Sequence, residues 1–155
     1  MSTDYSIVKA ETPEQIQDCY AVRINVFVHE QNIPLDLEID EYDPKCYHWL
    51  ATAANSTQRR SRLPLGTIRL YHVPNTSIGK LGRLAVDLSA RGLGLGRKLV
   101  EALEKDALTL GITFIDCHSQ IDKRPFYEKL GYHVIDGNIF VEDGIDHIKM
   151  GKSLS

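Results

Sequence analysis

The stretch Leu81–Gly96 reads LGRLAVDLSARGLGLG and places a strand, a short turn and a glycine-rich helix start in succession. The first turn of a helix leaves several backbone N–H groups without partners and carries a partial positive charge, so it binds anions. Gly92, Gly94 and Gly96 let phosphate oxygens approach those groups closely, and Arg91 adds a full positive charge beside them. The stretch therefore predicts a phosphate-binding turn.

The spacing of the glycines separates the ligands that such a turn can bind. Dinucleotide-binding proteins carry G-x-G-x-x-G early in the chain, whereas residues 92–96 read G-x-G-x-G and fall late. A nucleotide-binding phosphate loop ends in Gly-Lys-Ser/Thr, but Gly96 is followed by the sequence RKL. The spacing R-x-x-G-x-G that begins at Arg91 fits the pyrophosphate of coenzyme A, and the alternative is a turn that merely redirects the chain.

Helical periodicity follows the turn, from Gly94 to Gly111. Its apolar residues share one predicted face: Leu95, Leu99, Leu103 and Ala107. The elements predicted after this helix are a strand over Ile112–His118, a short helix over Pro125–Leu130, and strands over Tyr132–Ile135 and His147–Gly151.

A strand over Tyr5–Ala10 and a helix from Thr12 to about Glu30 are predicted before the turn. Thr12 with Gln15 forms a capping-box pattern at the start of that helix. The predicted buried face of the helix consists of Ile16, Tyr20, Ile24 and Phe27. Three more strands are predicted over Tyr47–Ala53, Pro64–Val73 and Lys80–Val86.

The segment Asn32–Asp43 is acidic and lacks a long periodic pattern, so it predicts a loop or a short irregular helix. Its carboxylates, concentrated in Asp36–Asp43, either form a solvated surface or attract a cationic acceptor.

Composition excludes several classes of protein. A chain of 155 residues that is 43% hydrophobic and 25% charged, with a net charge of −3, is typical of a globular protein without a basic surface for nucleic acid. The basic cluster Arg59, Arg60 and Arg62 is interpreted as a solvated loop. No apolar run has the ~20 residues of a membrane span. The start of the chain carries no secretory signal, which predicts a cytoplasmic location and leaves a nuclear one open.

Neither metal nor disulfide chemistry is predicted. Cys19, Cys46 and Cys117 are odd in number and widely spaced. The histidines have no metal-ligand spacing. Strands and helices in this order predict a single α/β domain over residues 1–155, with one mixed sheet and helices packed on its faces.

The sequence resembles the GCN5-related N-acetyltransferase (GNAT) superfamily. The family's pyrophosphate motif, [Q/R]-x-x-G-x-[G/A], is met by Arg91, Gly94 and Gly96, and its F-Y-x-x-x-G-[FY] signature is met by Phe126–Tyr132. Within the superfamily, Val26–Gln31 and Glu142–His147 are similar to the ElaA-type branch. The resemblance implies an α+β fold with a single mixed, mostly antiparallel twisted sheet flanked by helices on both faces.

The resemblance also implies acetyl-CoA as donor and a small-molecule or peptide amine as acceptor, and homodimers are common among relatives. The pantetheine arm is expected to pair with the strand backbone at Leu84–Val86, where an N–H of Leu84 or Ala85 stabilises the developing oxyanion. The residues that the resemblance assigns to the cofactor are Leu84, Ala85, Val86, Arg91, Gly92, Leu93, Gly94, Leu95, Gly96, Arg97 and Phe126. A non-catalytic acetyl-CoA sensor or interaction module is the alternative function.

Tyr127 matches the tyrosine that in this family donates a proton to the departing thiolate. The base that removes a proton from the amine is left open among three candidates. His118 lies at the end of a strand where the family's sheet splays, and histidine has an ordinary pKa of about 6.5. Glu30, at the end of the first helix, is the second candidate, and a water chain without a dedicated base is the third.

Overall fold

The computed structural model describes residues 5–54 and 62–154. Its strands are β1 (Tyr5–Lys9), β2 (Tyr47–Ala54), β3 (Arg62–His72), β4 (Ile78–Val86), β5 (Phe114–Gln120), β6 (His133–Glu142) and β7 (Ile145–Ser153). They form one sheet in the order β1-β2-β3-β4-β5-β7-β6. β4 and β5 run parallel, whereas the pairs β1–β2, β5–β7 and β6–β7 run antiparallel. The predicted mixed, mostly antiparallel sheet is confirmed.

The helices are α1 (Pro13–Arg23), continued by a π-helix over Ile24–Glu30, α2 (Leu35–Glu38), α3 (Leu95–Thr109) and α4 (Arg124–Lys129). All four apolar residues of the predicted α3 face are buried. Gly111 and Gly131 follow α3 and α4 with φ of +80° and +93°, a left-handed conformation that glycine adopts without a steric penalty and that ends helices.

The first helix begins as predicted, but its buried face matches the predicted one only in part: Phe27 is buried, whereas Ile16, Tyr20 and Ile24 are partly buried. The Thr12 side chain accepts a hydrogen bond from the Gln15 backbone N–H, and the Gln15 side chain accepts one from the Thr12 N–H. The fully buried side chains of this helix are Cys19, Val22, Arg23, Val26 and Phe27. An apolar pattern fails here because a charged residue occupies the centre of the buried face.

Arg23 is buried because two carboxylates of the acidic segment surround it. Its Nε donates to Glu38 Oε1 at 2.9 Å, and Nη1 and Nη2 donate to the Asp43 carboxylate at 2.7 and 3.1 Å. Burial alone would raise the pKa of the Asp43 carboxyl, but the hydrogen bonds from Arg23 outweigh it and hold that pKa well below its ordinary value. The solvated-surface interpretation is therefore wrong for Glu38 and Asp43.

Two further arginines complete this ion-pair network. Arg69 donates to Asp40 and Asp43 at 2.8 Å each, and Arg83 contacts Glu38 and Asp40 at 3.2 Å. Three of the carboxylates that were predicted either to face solvent or to attract a cationic acceptor, Glu38, Asp40 and Asp43, are thus paired within the chain, whereas Asp36 and Glu41 are exposed.

The chain divides into two compact units. In the first, which comprises residues 1–69 and 83–103, a core cluster contains Ala53, Leu65, Ala90 and Leu95. The second comprises residues 70–82 and 104–155, and its buried side chains include Ile115, Tyr127, Tyr132 and Met150. The single-domain organisation over residues 1–155 stays a prediction.

Two other predictions concern the basic loop and membrane-spanning segments. Arg59 and Arg60 of the predicted basic loop lie outside the described residues. Within residues 5–54 and 62–154, no helix is long and apolar enough to cross a membrane.

We expect Arg23→Ala to lower the free energy of unfolding by about 3–5 kcal/mol, because it leaves buried carboxylates without their partner. Arg124→Ala is the matched control, since Arg124 pairs with Glu128 on the surface at 3.5 Å and such pairs contribute at most about 1 kcal/mol. Urea unfolding of both variants measures the difference. Equal losses would contradict the structural importance of the network.

Candidate functional site

The glycine turn has the geometry that phosphate binding requires. Gly92 and Gly94 adopt φ of +83° and +79°, and a Cβ at either position would meet no atom within 4 Å. These glycines are thus needed for backbone conformation rather than to relieve crowding, and the space beside them is open. α3 starts directly afterwards at Leu95, so its first backbone N–H groups lack intrahelical partners. The turn presents those donors to an anion.

The side chains around the turn divide into anchors and exposed groups. Leu95 is 1% exposed and packs in the core with Leu65 and Ala90. Its side chain therefore anchors the start of α3 next to the turn. Leu93 is about half exposed, at 49%. Arg97 is a surface residue that contacts Glu101 at 3.4 Å.

Arg91 is held in place by two partners. Its Nε donates to the backbone oxygen of Val86 at 2.9 Å, and its Nη1 and Nη2 donate to the two carboxylate oxygens of Glu30 at 2.7 and 2.6 Å. Glu30 is the last residue of the π-helix that continues α1. The hydrogen bonds that Arg91 donates to Glu30 raise the pKa of Arg91 above its ordinary value. The structure therefore brings together Arg91, which was predicted to bind the pyrophosphate, and Glu30, which was one of the predicted bases.

This pairing changes what Glu30 can do. A carboxylate that accepts hydrogen bonds from an arginine through both oxygens is stabilised in its charged form, which makes it a weak base. It also supplies a negative charge beside the arginine that would meet a phosphate. We therefore interpret Glu30 as the partner of Arg91 and expect its effect on anion binding rather than on proton transfer.

Tyr127 lies on α4 and is 7% exposed. Its ring contacts the edge of Phe126 at a centroid distance of 5.1 Å and of Tyr132 at 5.6 Å. Burial, together with the nearby thiol of Cys117, raises the pKa of the Tyr127 hydroxyl well above its ordinary value. The hydroxyl is therefore a protonated donor at neutral pH.

Tyr132 shows the contrast within the same aromatic cluster. Its hydroxyl donates to Glu104 Oε2 at 2.8 Å, and Glu104 also accepts from Lys152 at 3.0 Å. Its donor is already used within the fold, which assigns Tyr132 to structure.

His118 lies on β5, one residue beyond Cys117. In the parallel register of β4 and β5, Ile78 lies opposite Phe114 and Leu81 lies opposite Cys117. The His118 side chain is 42% exposed, and its Nδ1 lies 3.1 Å from Glu142 Oε1. Glu142 ends β6 and was not among the residues predicted for the site.

A family model described as an acetyltransferase (GNAT) domain matches residues 15–154. The chain belongs to the GNAT acetyltransferase family. A Bacillus subtilis (strain 168) protein that is provisionally named an acetyltransferase is 39% identical over 149 residues, covering 94% of this chain and 95% of that protein. The crystal structure of a provisionally named N-acetyltransferase from Lactobacillus plantarum is 31% identical, with a TM-score of 0.84 and coverage of 97% and 99% of the two chains.

The ElaA-type resemblance has a structural counterpart. The crystal structure of Escherichia coli ElaA is 20% identical, with a TM-score of 0.78 and coverage of 97% of this chain and 99% of that one. At this identity the likeness concerns the fold, which is the GNAT fold that the sequence predicted.

The residues predicted for the site of this GNAT chain are divided between its two compact units. The turn, Arg91 and Glu30 belong to the first unit, whereas Tyr127, Phe126 and His118 belong to the second. Glu142 could have been found from the Asp143-Gly144 pair that follows it, because Asp-Gly between alternating strands predicts a tight hairpin. Both residues adopt left-handed φ, +53° and +77°, as such a turn requires.

The described part of the chain contains no group of three or more His, Cys, Asp or Glu side chains arranged to hold a metal ion. The candidate groups are therefore described unit by unit: backbone donors and an arginine in the first, and a tyrosine and a histidine–carboxylate pair in the second.

We expect Glu30→Gln to tighten binding of acetyl-CoA about 2- to 5-fold, because it removes a negative charge beside Arg91, and to leave kcat nearly unchanged. This factor corresponds to the ~0.5–1 kcal/mol of an exposed ion pair. Calorimetric Kd and steady-state kcat measure the two effects, with Glu14→Gln on the surface of α1 as the control for loss of one charge. A fall in kcat at unchanged Kd would instead identify Glu30 as the base.

Proposed function

We propose that this GNAT chain transfers the acetyl group of acetyl-CoA directly to a primary amine in a ternary complex. The observation that carries the proposal is Tyr127 on α4, whose burial raises the pKa of its hydroxyl and keeps it protonated as a donor. A chain that only sensed acetyl-CoA would need the glycine turn but no donor of this kind.

Binding of the donor is assigned to the turn and to the end of β4. The backbone N–H groups of Gly92–Gly96 and the positive end of α3 would hold the pyrophosphate, with Arg91 beside it. The backbone of Leu84–Val86 would pair with the pantetheine arm, and an N–H of Leu84 or Ala85 would stabilise the thioester oxygen as it becomes negative. Leu93, Arg97 and Phe126 would add contacts at the edges of the cofactor.

Direct transfer is supported by the state of the cysteines. Burial raises the pKa of Cys19 and Cys46 to about 11 and that of Cys117 to about 12. The nucleophilic form of cysteine is the thiolate, so these thiols are poor candidates for an acyl-enzyme intermediate at neutral pH. The amine is therefore the group that attacks the thioester.

Tyr127 would act on the leaving group by hydrogen bonding. A thiol has an ordinary pKa of about 8.5, far below the raised pKa of Tyr127, so complete transfer of the phenolic proton to a thiolate would be unfavourable. A hydrogen bond from the phenol to the negatively charged sulfur needs no such transfer and is worth about 1.5–3 kcal/mol. His118, the exposed candidate at the end of β5, would accept the proton that the amine loses.

The reaction is tested by thiol release from acetyl-CoA against a panel of small-molecule amines and peptides with free amino groups. Acetylation of at least one amine, with stoichiometric release of coenzyme A, supports the proposal. Saturable binding of acetyl-CoA without release to any member of a broad panel favours a sensor.

For Tyr127→Phe we expect kcat to fall roughly 10- to 100-fold, with little change in the KM for acetyl-CoA, because only the charged leaving group loses its hydrogen bond. Tyr132→Phe removes a hydroxyl from the same aromatic cluster and is expected to lower stability rather than kcat. A Tyr127→Phe variant with the kcat of the wild type would assign Tyr127 to packing.

A further inference from the structure

The hairpin of β6 and β7 places Glu142 on the same face of the sheet as His118. In the antiparallel registers, Gln120 lies opposite His147, and His147 lies opposite Phe140. Residues directly opposite each other point to one face, as do residues two apart on a strand. Glu142, two residues beyond Phe140, and His118, two residues before Gln120, therefore share that face, and Glu142 reaches across β7 to His118.

The contact between them determines which nitrogen of His118 carries the hydrogen. Nδ1 lies 3.1 Å from Glu142 Oε1, and an ionised carboxylate only accepts hydrogen bonds, so Nδ1 must be the donor. In the neutral ring the lone pair then resides on Nε2. This is the tautomer in which a histidine can receive a proton from a substrate on its far side.

The second histidine of the cluster does not compete for the carboxylate. His147 Nδ1 lies 2.7 Å from the backbone oxygen of Ile145 and is the donor there, while its Nε2 is 3.8 Å from Glu142 Oε2, beyond hydrogen-bond distance. Its side chain is only 8% exposed, against 42% for His118. Of the two, His118 is the histidine that a substrate can reach.

Phe140 limits the movement of both rings. Its ring meets His118 edge-on at a centroid distance of 5.0 Å and stacks against His147 at 5.8 Å. The imidazole of His118 is thus fixed by a hydrogen bond at Nδ1 and by an aromatic ring at its side.

We propose that Glu142 is a positioning residue that holds His118 in the base-competent tautomer. This inference rests on the proposed function. As the amine nitrogen forms a bond to the thioester carbon, its proton passes to His118 Nε2, and the carbon–sulfur bond then breaks to release the thiolate. The charge that His118 gains is balanced by the Glu142 carboxylate, in the manner of the carboxylate that orients a catalytic histidine.

The kinetic test is a double-mutant cycle with an accepted amine. Glu142→Ala should lower kcat roughly 10- to 100-fold with an unchanged KM for acetyl-CoA, as expected for loss of a charge-assisted hydrogen bond. In a His118→Ala background the same change should cost less than about 2-fold, because Glu142 then has no base to orient. Equal losses in both backgrounds, or no loss in either, would overturn the proposal.

Asp146→Ala is the matched control. Asp146 lies on the same hairpin opposite Val141 and therefore projects to the other face from Glu142. The substitution removes the same charge at a residue that does not contact His118. A loss of kcat equal to that of Glu142→Ala would indicate a general effect of charge on the hairpin and would contradict the proposal.

A measurement that needs no activity separates this proposal from the proposed function. Long-range ¹H–¹⁵N NMR of the free protein should show His118 with hydrogen on Nδ1 in the wild type and a mixture of tautomers in Glu142→Ala. A wild type with this signature but without acetyl transfer would refute the proposed function and leave the pair intact. A wild-type His118 with hydrogen on Nε2 would overturn the pair itself.

Discussion

The guanidinium of Arg23 has no exposure to water, and its hydrogen bonds to Glu38 and Asp43 compensate its charge. Such an ion pair adds little net stability over an apolar core of the same shape, because desolvation cancels much of the attraction. Its effect is on geometry, since a charged fork and two carboxylates fit together in few arrangements. The pair therefore fixes the acidic segment against the first helix, where an apolar contact would have allowed it to slide.

The arrangement of β4 is connected to this pair. Arg83 adopts φ of +54°, a conformation that costs a non-glycine residue about 1–2 kcal/mol, and its side chain bonds to the backbone oxygens of Leu37 and Glu38. Contacts with the acidic segment thus stabilise the unusual backbone conformation of Arg83. This residue comes immediately before the β4 backbone that we assign to the thioester. The first helix, which contains Arg23, continues as the π-helix that ends at Glu30. There Glu30 accepts the hydrogen bonds of Arg91. The first helix thus contributes both Arg23, which holds the acidic segment, and the residue that pairs with Arg91.

The sequence predicted the features that depend on local chemistry. Glycine spacing, the capping box at Thr12 and the apolar face of α3 follow from neighbouring residues, and all are present. The burial of Arg23 in the first helix was not predicted, because an arginine is expected at the surface in an amphipathic pattern. It is buried because it pairs with carboxylates 15 and 20 residues away. The pairings of Arg91 with Glu30 and of His118 with Glu142 join residues 61 and 24 positions apart, and no periodicity reports such contacts. Tyr127 could be named from its motif, but the burial that raises the pKa of its hydroxyl could be recognised only in the fold.

Arg91 and the glycine turn are assigned to the pyrophosphate of acetyl-CoA, and a calorimetric titration of wild-type protein and Arg91→Gln with acetyl-CoA tests this assignment directly. The wild type should bind with saturation at one molecule per chain. The variant should bind at least about tenfold more weakly at an unchanged stability, because a charge-assisted contact to the anion is lost. A wild type that binds no acetyl-CoA, or a variant that binds it equally well, would contradict the account.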